Sequence, residues 1–172
     1  MKILFLAAVL ATVVLLPSDY LHISDQVLED YRLEMLLEHG LVLSGSGGRY
    51  MNNLNQITQE FSSQGQFSIE EARRLFIQAN LKLIKRINQD HNLRPFLFHY
   101  PFTFEDIQIK ISFYDSEEKA AYPYVTYISA INGKVFYNTI NLESDTPKYQ
   151  LLHSETFEDA CALVGQDNAD EE

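Results

Sequence analysis

Ile107-Gln108-Ile109-Lys110-Ile111-Ser112-Phe113-Tyr114 alternates apolar and polar side chains without a break. A period of two is the pattern of a strand with one face in a core and the other in water. Further on, Asn132-Gly133 separates two more β-favouring runs, residues 122–131 and 134–141. An Asn-Gly pair is a strong hairpin signal, because a type I′ turn needs positive φ at both central positions. Residues 149–153 offer a fourth strand, and Glu117-Glu118-Lys119 reads as a hairpin loop. Tyr114, Tyr122, Tyr124, Tyr127 and Tyr137 are expected as cross-strand neighbours, apolar at the ring and wet at the hydroxyl.

Upstream of this β-rich half, Ser68-Ile69-Glu70-Glu71 is a capping box that opens a long helix running to about Asp90. Ala72, Phe76, Ala79, Leu83, Ile84 and Ile87 form its apolar stripe, and Arg74, Lys82, Lys85 and Arg86 its solvated basic face. Pro95 and Pro101 then bracket an aromatic loop. Nearer the start, Ser24-Asp25 is the expected cap of a first helix that Gly40 terminates. Val27, Leu28, Tyr31 and Met35 share one face of it, while Leu33, Leu36 and Leu37 widen the stripe and suggest burial on more than one side. Residues 41–43 read as a short strand and residues 44–48 as a flexible loop; over residues 54–62, Leu54, Ile57 and Phe61 keep helical spacing while Ile57, Gln59 and Phe61 alternate, and the Gly65 turn that follows favours a strand. A last helix is expected from Ser154 to about Val164, stopped by Gly165, with Phe157, Ala160, Cys161 and Val164 inward.

The fold class that follows is α+β: an antiparallel sheet of about four to six strands packed on one long helix, with an N-terminal and a C-terminal helix. No strand–helix–strand repeat suggests a parallel sheet. A long helix ahead of an antiparallel meander resembles the way a curved sheet wraps one helix in cystatin-like folds. The likeness is architectural only, since no cystatin inhibitory signature is present.

Lys2 precedes residues 3–16, a run without charge, Gly or Pro, and Pro17-Ser18-Asp19 ends it. One basic residue, an apolar stretch and a polar break are the parts of a secretory signal peptide. As a helix the run spans ~21 Å, short of the ~30 Å hydrocarbon core. The expected organisation is a leader over 1–18, one domain over 19–165 and a disordered acidic tail over 166–172. Export to a periplasm or the exterior is the localisation expected; an uncleaved leader would instead anchor the chain to a membrane. Without a leader, the same run would be the first strand of a cytosolic domain. No stable transmembrane span is expected once the leader is removed.

The chain carries a net charge of −11, which becomes −12 when Lys2 leaves with the leader. Such acidity argues against general nucleic-acid binding, which needs clustered cations. Cys161 is the only cysteine, so no intramolecular disulfide forms, and its place in an apolar helical stripe reads as core packing.

Candidate sites are few. Ser44, Gly45, Ser46, Gly47, Gly48 and Arg49 form a Gly-rich stretch whose amides would suit an anion, with Arg49 in support. It matches neither a P-loop nor a nucleophile elbow. Phe96, Phe98, His99 and Tyr100 in the aromatic loop either close one end of the core or face a protein partner. The histidines His22, His39, His91, His99 and His153 lack metal-ligand spacing, and neither a metal nor a cofactor is expected. The function expected is a small exported, non-catalytic binding or interaction protein. The alternative is an exported hydrolase using the 44–48 segment with a histidine.

Overall fold

The computed structural model describes residues 19–51, 53–116, 118–141 and 148–170. The apolar leader lies outside these residues, as do Glu117 and the last two positions of the acidic tail.

The elements run α1 (Asp19–His39), β1 (Val42–Tyr50), β2 (Leu54–Gln64), α2 (Ile69–Gln89), β3 (Ile107–Asp115), β4 (Glu118–Lys119), β5 (Tyr127–Ile131), β6 (Lys134–Asn141), β7 (Lys148–Thr156) and α3 (Phe157–Asp170). Two 3-10 turns, Arg94–Phe96 and Phe104–Asp106, fill the link from α2 to β3. The sheet order is β1-β2-β3-β5-β6-β7, with the two-residue β4 pairing β3.

The α+β class holds, but the sheet is mixed. β2 and β3 are parallel, from Ile57 opposite Ile107 to Gln64 opposite Tyr114, and the other pairs are antiparallel. The cause is α2. Its 21 residues span ~31 Å and carry the chain back along the whole length of β2, so β3 sets out in the same direction. The expectation of an antiparallel-only sheet on one helix therefore fails on both counts, because α1 is also 21 residues long.

α2 itself begins as expected. Ser68 Oγ accepts from the Glu71 amide at 3.2 Å, and the Ser68 amide donates to Glu71 Oε2 at 2.8 Å. One sheet face carries the core: Ile57 and Phe61 of β2, Ile109, Ile111 and Phe113 of β3, and Val135 of β6 are all buried. Across from them lie Phe76, Leu83 and Ile87 of α2, Leu28 and Met35 of α1, and Ala160 and Val164 of α3. Each such large side chain contributes about 1.5–3 kcal/mol by leaving water. The other face is polar as the alternation predicts, and Lys110 pairs with Glu60 across β3 and β2 at 2.7 Å.

Several boundaries shift. α1 starts at Asp19, not at Ser24, whose buried hydroxyl donates to the Leu21 carbonyl at 2.9 Å. It ends as expected at Gly40, with φ +64°. Leu33, Leu36 and Leu37 are exposed, because α1 packs on the fold along one side. β5 begins only at Tyr127: Pro123 has no amide to donate, and the stretch before it folds as turns. The Asn132-Gly133 turn forms with φ +50° and +74°. β7 runs on to Thr156, which replaces Ser154 as the helix cap and accepts from the Asp159 amide at 3.0 Å. α3 then passes through Gly165 to Asp170, so residues 166–170 of the expected disordered tail are helical. Among the described residues, no helix is long and apolar enough to cross a membrane.

Candidate functional site

The parallel β2–β3 pair brings distant segments to one end of the sheet. β1 ends there and β2 and β3 begin there, while the β5–β6 turn closes it from the other side. The β3–β5 ladder stops at Lys110 opposite Ser129, two residues short of the place where Gln108 would meet Ile131. The strands part at this point and leave a groove of about 480 Å³.

The groove is lined by polar, charged and a few apolar side chains. Phe104, Ile107, Ala130 and Ile131 supply the apolar surface, and Gln56, Gln108 and Asn132 supply amides. Arg49 and Glu105 line it with opposite charges. Neither forms an ion pair with a described residue. On α2 several charges do meet partners. Lys82 lies 2.5 Å from both Glu34 and Glu38, and Arg86 also binds Glu34. The basic face of α2 is thus in part a seam to α1.

Of the Gly-rich candidates, Arg49 alone lines the groove. Ser44, Gly45, Ser46, Gly47 and Gly48 are not a flexible loop. They form the middle of β1, which pairs with β2 from Val42 opposite Ser62 onward, with Ser44 at a bulge and Gly45 to Gly48 in register. Serine and glycine carry turn chemistry in isolation, but here Gly48 and Gly45 make room for β2. A Cβ on Gly48 would sit 2.3 Å from the Gln56 carbonyl oxygen, and one on Gly45 3.2 Å from Glu60 Oε2. Ser46 Oγ accepts from Arg32 at 2.7 Å and from Gln59 at 2.9 Å. Neither donor is a base, so this hydroxyl is not arranged as a nucleophile. No hydrogen bond joins a described histidine to Ser44 or Ser46.

The aromatic loop divides between core and surface at the same end. Leu97 bridges to Leu54, the Phe98 amide donates to the Leu54 carbonyl at 3.0 Å, and Phe102 is buried. Asn88 fastens Phe102 on both sides, accepting from its amide at 2.7 Å and donating to its carbonyl at 2.8 Å. Phe96 stacks on Tyr20 with ring centres 5.5 Å apart. Phe98 and Tyr100 stay 64 % and 46 % exposed, with the Arg94 guanidinium 3.9 Å above the Tyr100 ring. His99 Nε2 lies 3.0 Å from Asp106 Oδ1. Glu105, Gln56 and Gln108 carried no signal of their own in the sequence; only the parallel pairing sets them beside Arg49.

A second polar cluster lies inside the fold. Arg73 Nε donates to Glu155 Oε1 at 2.8 Å, the Tyr137 hydroxyl donates to the same oxygen, and His153 Nε2 is 3.6 Å from Oε2. Burial works against the Glu155 charge, but the bonds from Arg73 and Tyr137 outweigh it and hold the carboxyl below its usual range. Burial and then Glu155 push the Tyr137 hydroxyl well above the ordinary phenol range. With the carboxylate so engaged, the cluster joins α2 to β7. Cys161 packs half-buried against the core, and burial with Glu158 raises its thiol, so little thiolate forms. No group of three metal-ligating side chains occurs among the described residues.

No family model, curated protein or solved structure matches the chain.

Proposed function

We propose that this is a small exported binding protein without catalysis, and that it holds its ligand in the groove at the end of the sheet. The observation that carries this is the pair Arg49 and Glu105: two opposite charges that line one groove without ion-pair partners among the described residues, whereas Arg73 and Arg86 are each held by a carboxylate. A cleft of about 480 Å³ has the size of small-ligand sites, ~300–1,000 Å³, and its mostly polar lining suits a polar ligand. Phe98 and Tyr100 lie at the same end and would offer an apolar ledge to a protein that delivers or shares the ligand.

An amide-detected NMR titration with a library of small polar fragments tests the site. Shifts gathered on Gln56, Gln108, Ile131 and Gly133 are expected. Shifts confined to other surfaces would refute the groove as the binding site. Export rests on the uncharged run over residues 3–16 and the break at Pro17. Mass spectrometry of the mature protein decides it, because a soluble form retaining Met1 would overturn it.

A further inference from the structure

Building on that assignment of the groove, we infer that its ligand is a zwitterion of the amino-acid type: a short peptide with free ends, whose carboxylate binds Arg49 and whose ammonium binds Glu105.

Arg49 and Glu105 both have long side chains and line the same cavity, yet they do not pair with each other. A ligand with one charge of each sign satisfies both at once. A simple anion would leave Glu105 facing it, and it would approach a protein of net charge −11 against the overall field. A simple cation would leave Arg49 opposed. Guanidinium binds carboxylate through two parallel hydrogen bonds, which suits the C-terminal end of a peptide.

The rest of the lining matches a peptide between those ends. Gln56 and Asn132 each carry a donor and an acceptor, the pair that a peptide bond requires, and Gln108, whose Oε1 already accepts from Thr58, adds a donor. The β3–β5 ladder ends at Lys110 and Ser129, and the strand ends beyond it, with Gln108 and Ile131, border the groove. Ile131, largely exposed, provides apolar surface for one of its side chains.

The experiment is a set of calorimetric and NMR titrations of the full mature chain. The probes are tri-alanine with free ends, its N-acetyl form, its C-terminal amide, the doubly blocked form, and free leucine. Arg49→Gln and Glu105→Gln are compared with the native protein; both residues are exposed, and circular dichroism checks each fold. Free tri-alanine is expected to bind, and blocking either end to weaken it about tenfold, ~1.4 kcal/mol. In Arg49→Gln the amide and the free acid should bind alike, and in Glu105→Gln the N-acetyl and free-amine forms should bind alike. Tighter binding of leucine than of tri-alanine would overturn the peptide assignment. Equal binding of blocked and free peptides would overturn the zwitterion while leaving the groove a binding site. If neither these probes nor the fragments shift the groove amides, the site itself falls.

Discussion

Arg73 on α2 and Glu155 on β7, 82 residues apart, meet as Nε and Oε1 at 2.8 Å, with side chains 10 % and 8 % exposed. This bond fastens the outermost strand to the central helix from inside the protein. Removing one partner of such a pair strands a charge away from water, at a cost of ~3–5 kcal/mol. Arg73→Met should therefore lower the unfolding free energy by about 3 kcal/mol in urea. Adding Glu155→Gln removes the stranded charge and keeps an acceptor for Tyr137, so the double variant should be the more stable of the two. A double variant no better than Arg73→Met would mean that the ion pair does not set the cost.

The carboxylates also fix a pH dependence. The hydrogen bond from Lys82, with Arg86 beside it, holds Glu34 below its ordinary value of 4.5. Glu155 is likewise held below that value. A carboxyl depressed in the folded state contributes stability above its unfolded pKa and loses it as pH falls through the folded one. Thermal stability should therefore drop as pH is lowered past 4.5, while Glu34→Gln should drop less. The gap between the two proteins, about 0.5–1 kcal/mol near neutrality for a partly exposed pair, should close in acid. A gap that persists unchanged at about pH 3 would contradict this account.

Local signals were legible in the sequence, and long-range ones were not. The capping box of Ser68 and Glu71, the Asn132-Gly133 turn and the alternation over residues 107–114 depend only on neighbours in the chain, and each stands in the structure. The direction of β3 depends on where a 21-residue helix returns the chain, which no window around Ile107 contains. The 44–48 segment looked like a loop because its reason for glycine, the Gln56 carbonyl and the Glu60 side chain, lies across the hairpin. Arg49 was identifiable as a candidate, but Glu105 and Gln108 join it only through the parallel pair.

That account of the glycines makes a paired prediction. A methyl on Gly48 would sit 2.3 Å from the Gln56 carbonyl oxygen, a backbone atom that cannot swing aside, whereas nothing lies within 4 Å of a methyl on Gly47. Gly48→Ala should cost about 1–3 kcal/mol through forced backbone movement. Gly47→Ala should be neutral or stabilising by up to ~1 kcal/mol, since glycine is the poorer strand residue. Equal effects in a denaturant titration would refute the packing explanation and restore the flexible loop.

The aromatic loop separates anchor from ledge in the same way. Phe102 is 1 % exposed and Phe98 64 % exposed, although they are close in sequence. Phe102→Ala empties a site beside α2 that Asn88 holds shut, and should cost about 3–5 kcal/mol. Phe98→Ala loses little burial and should stay within about 0.5 kcal/mol of the native protein. If Phe98→Ala proved as damaging as Phe102→Ala, the exposed ring would belong to the core, and the ledge offered to a partner would have no basis. If it leaves stability alone, the ring is no part of the core and remains, with Tyr100, available to the surface proposed above.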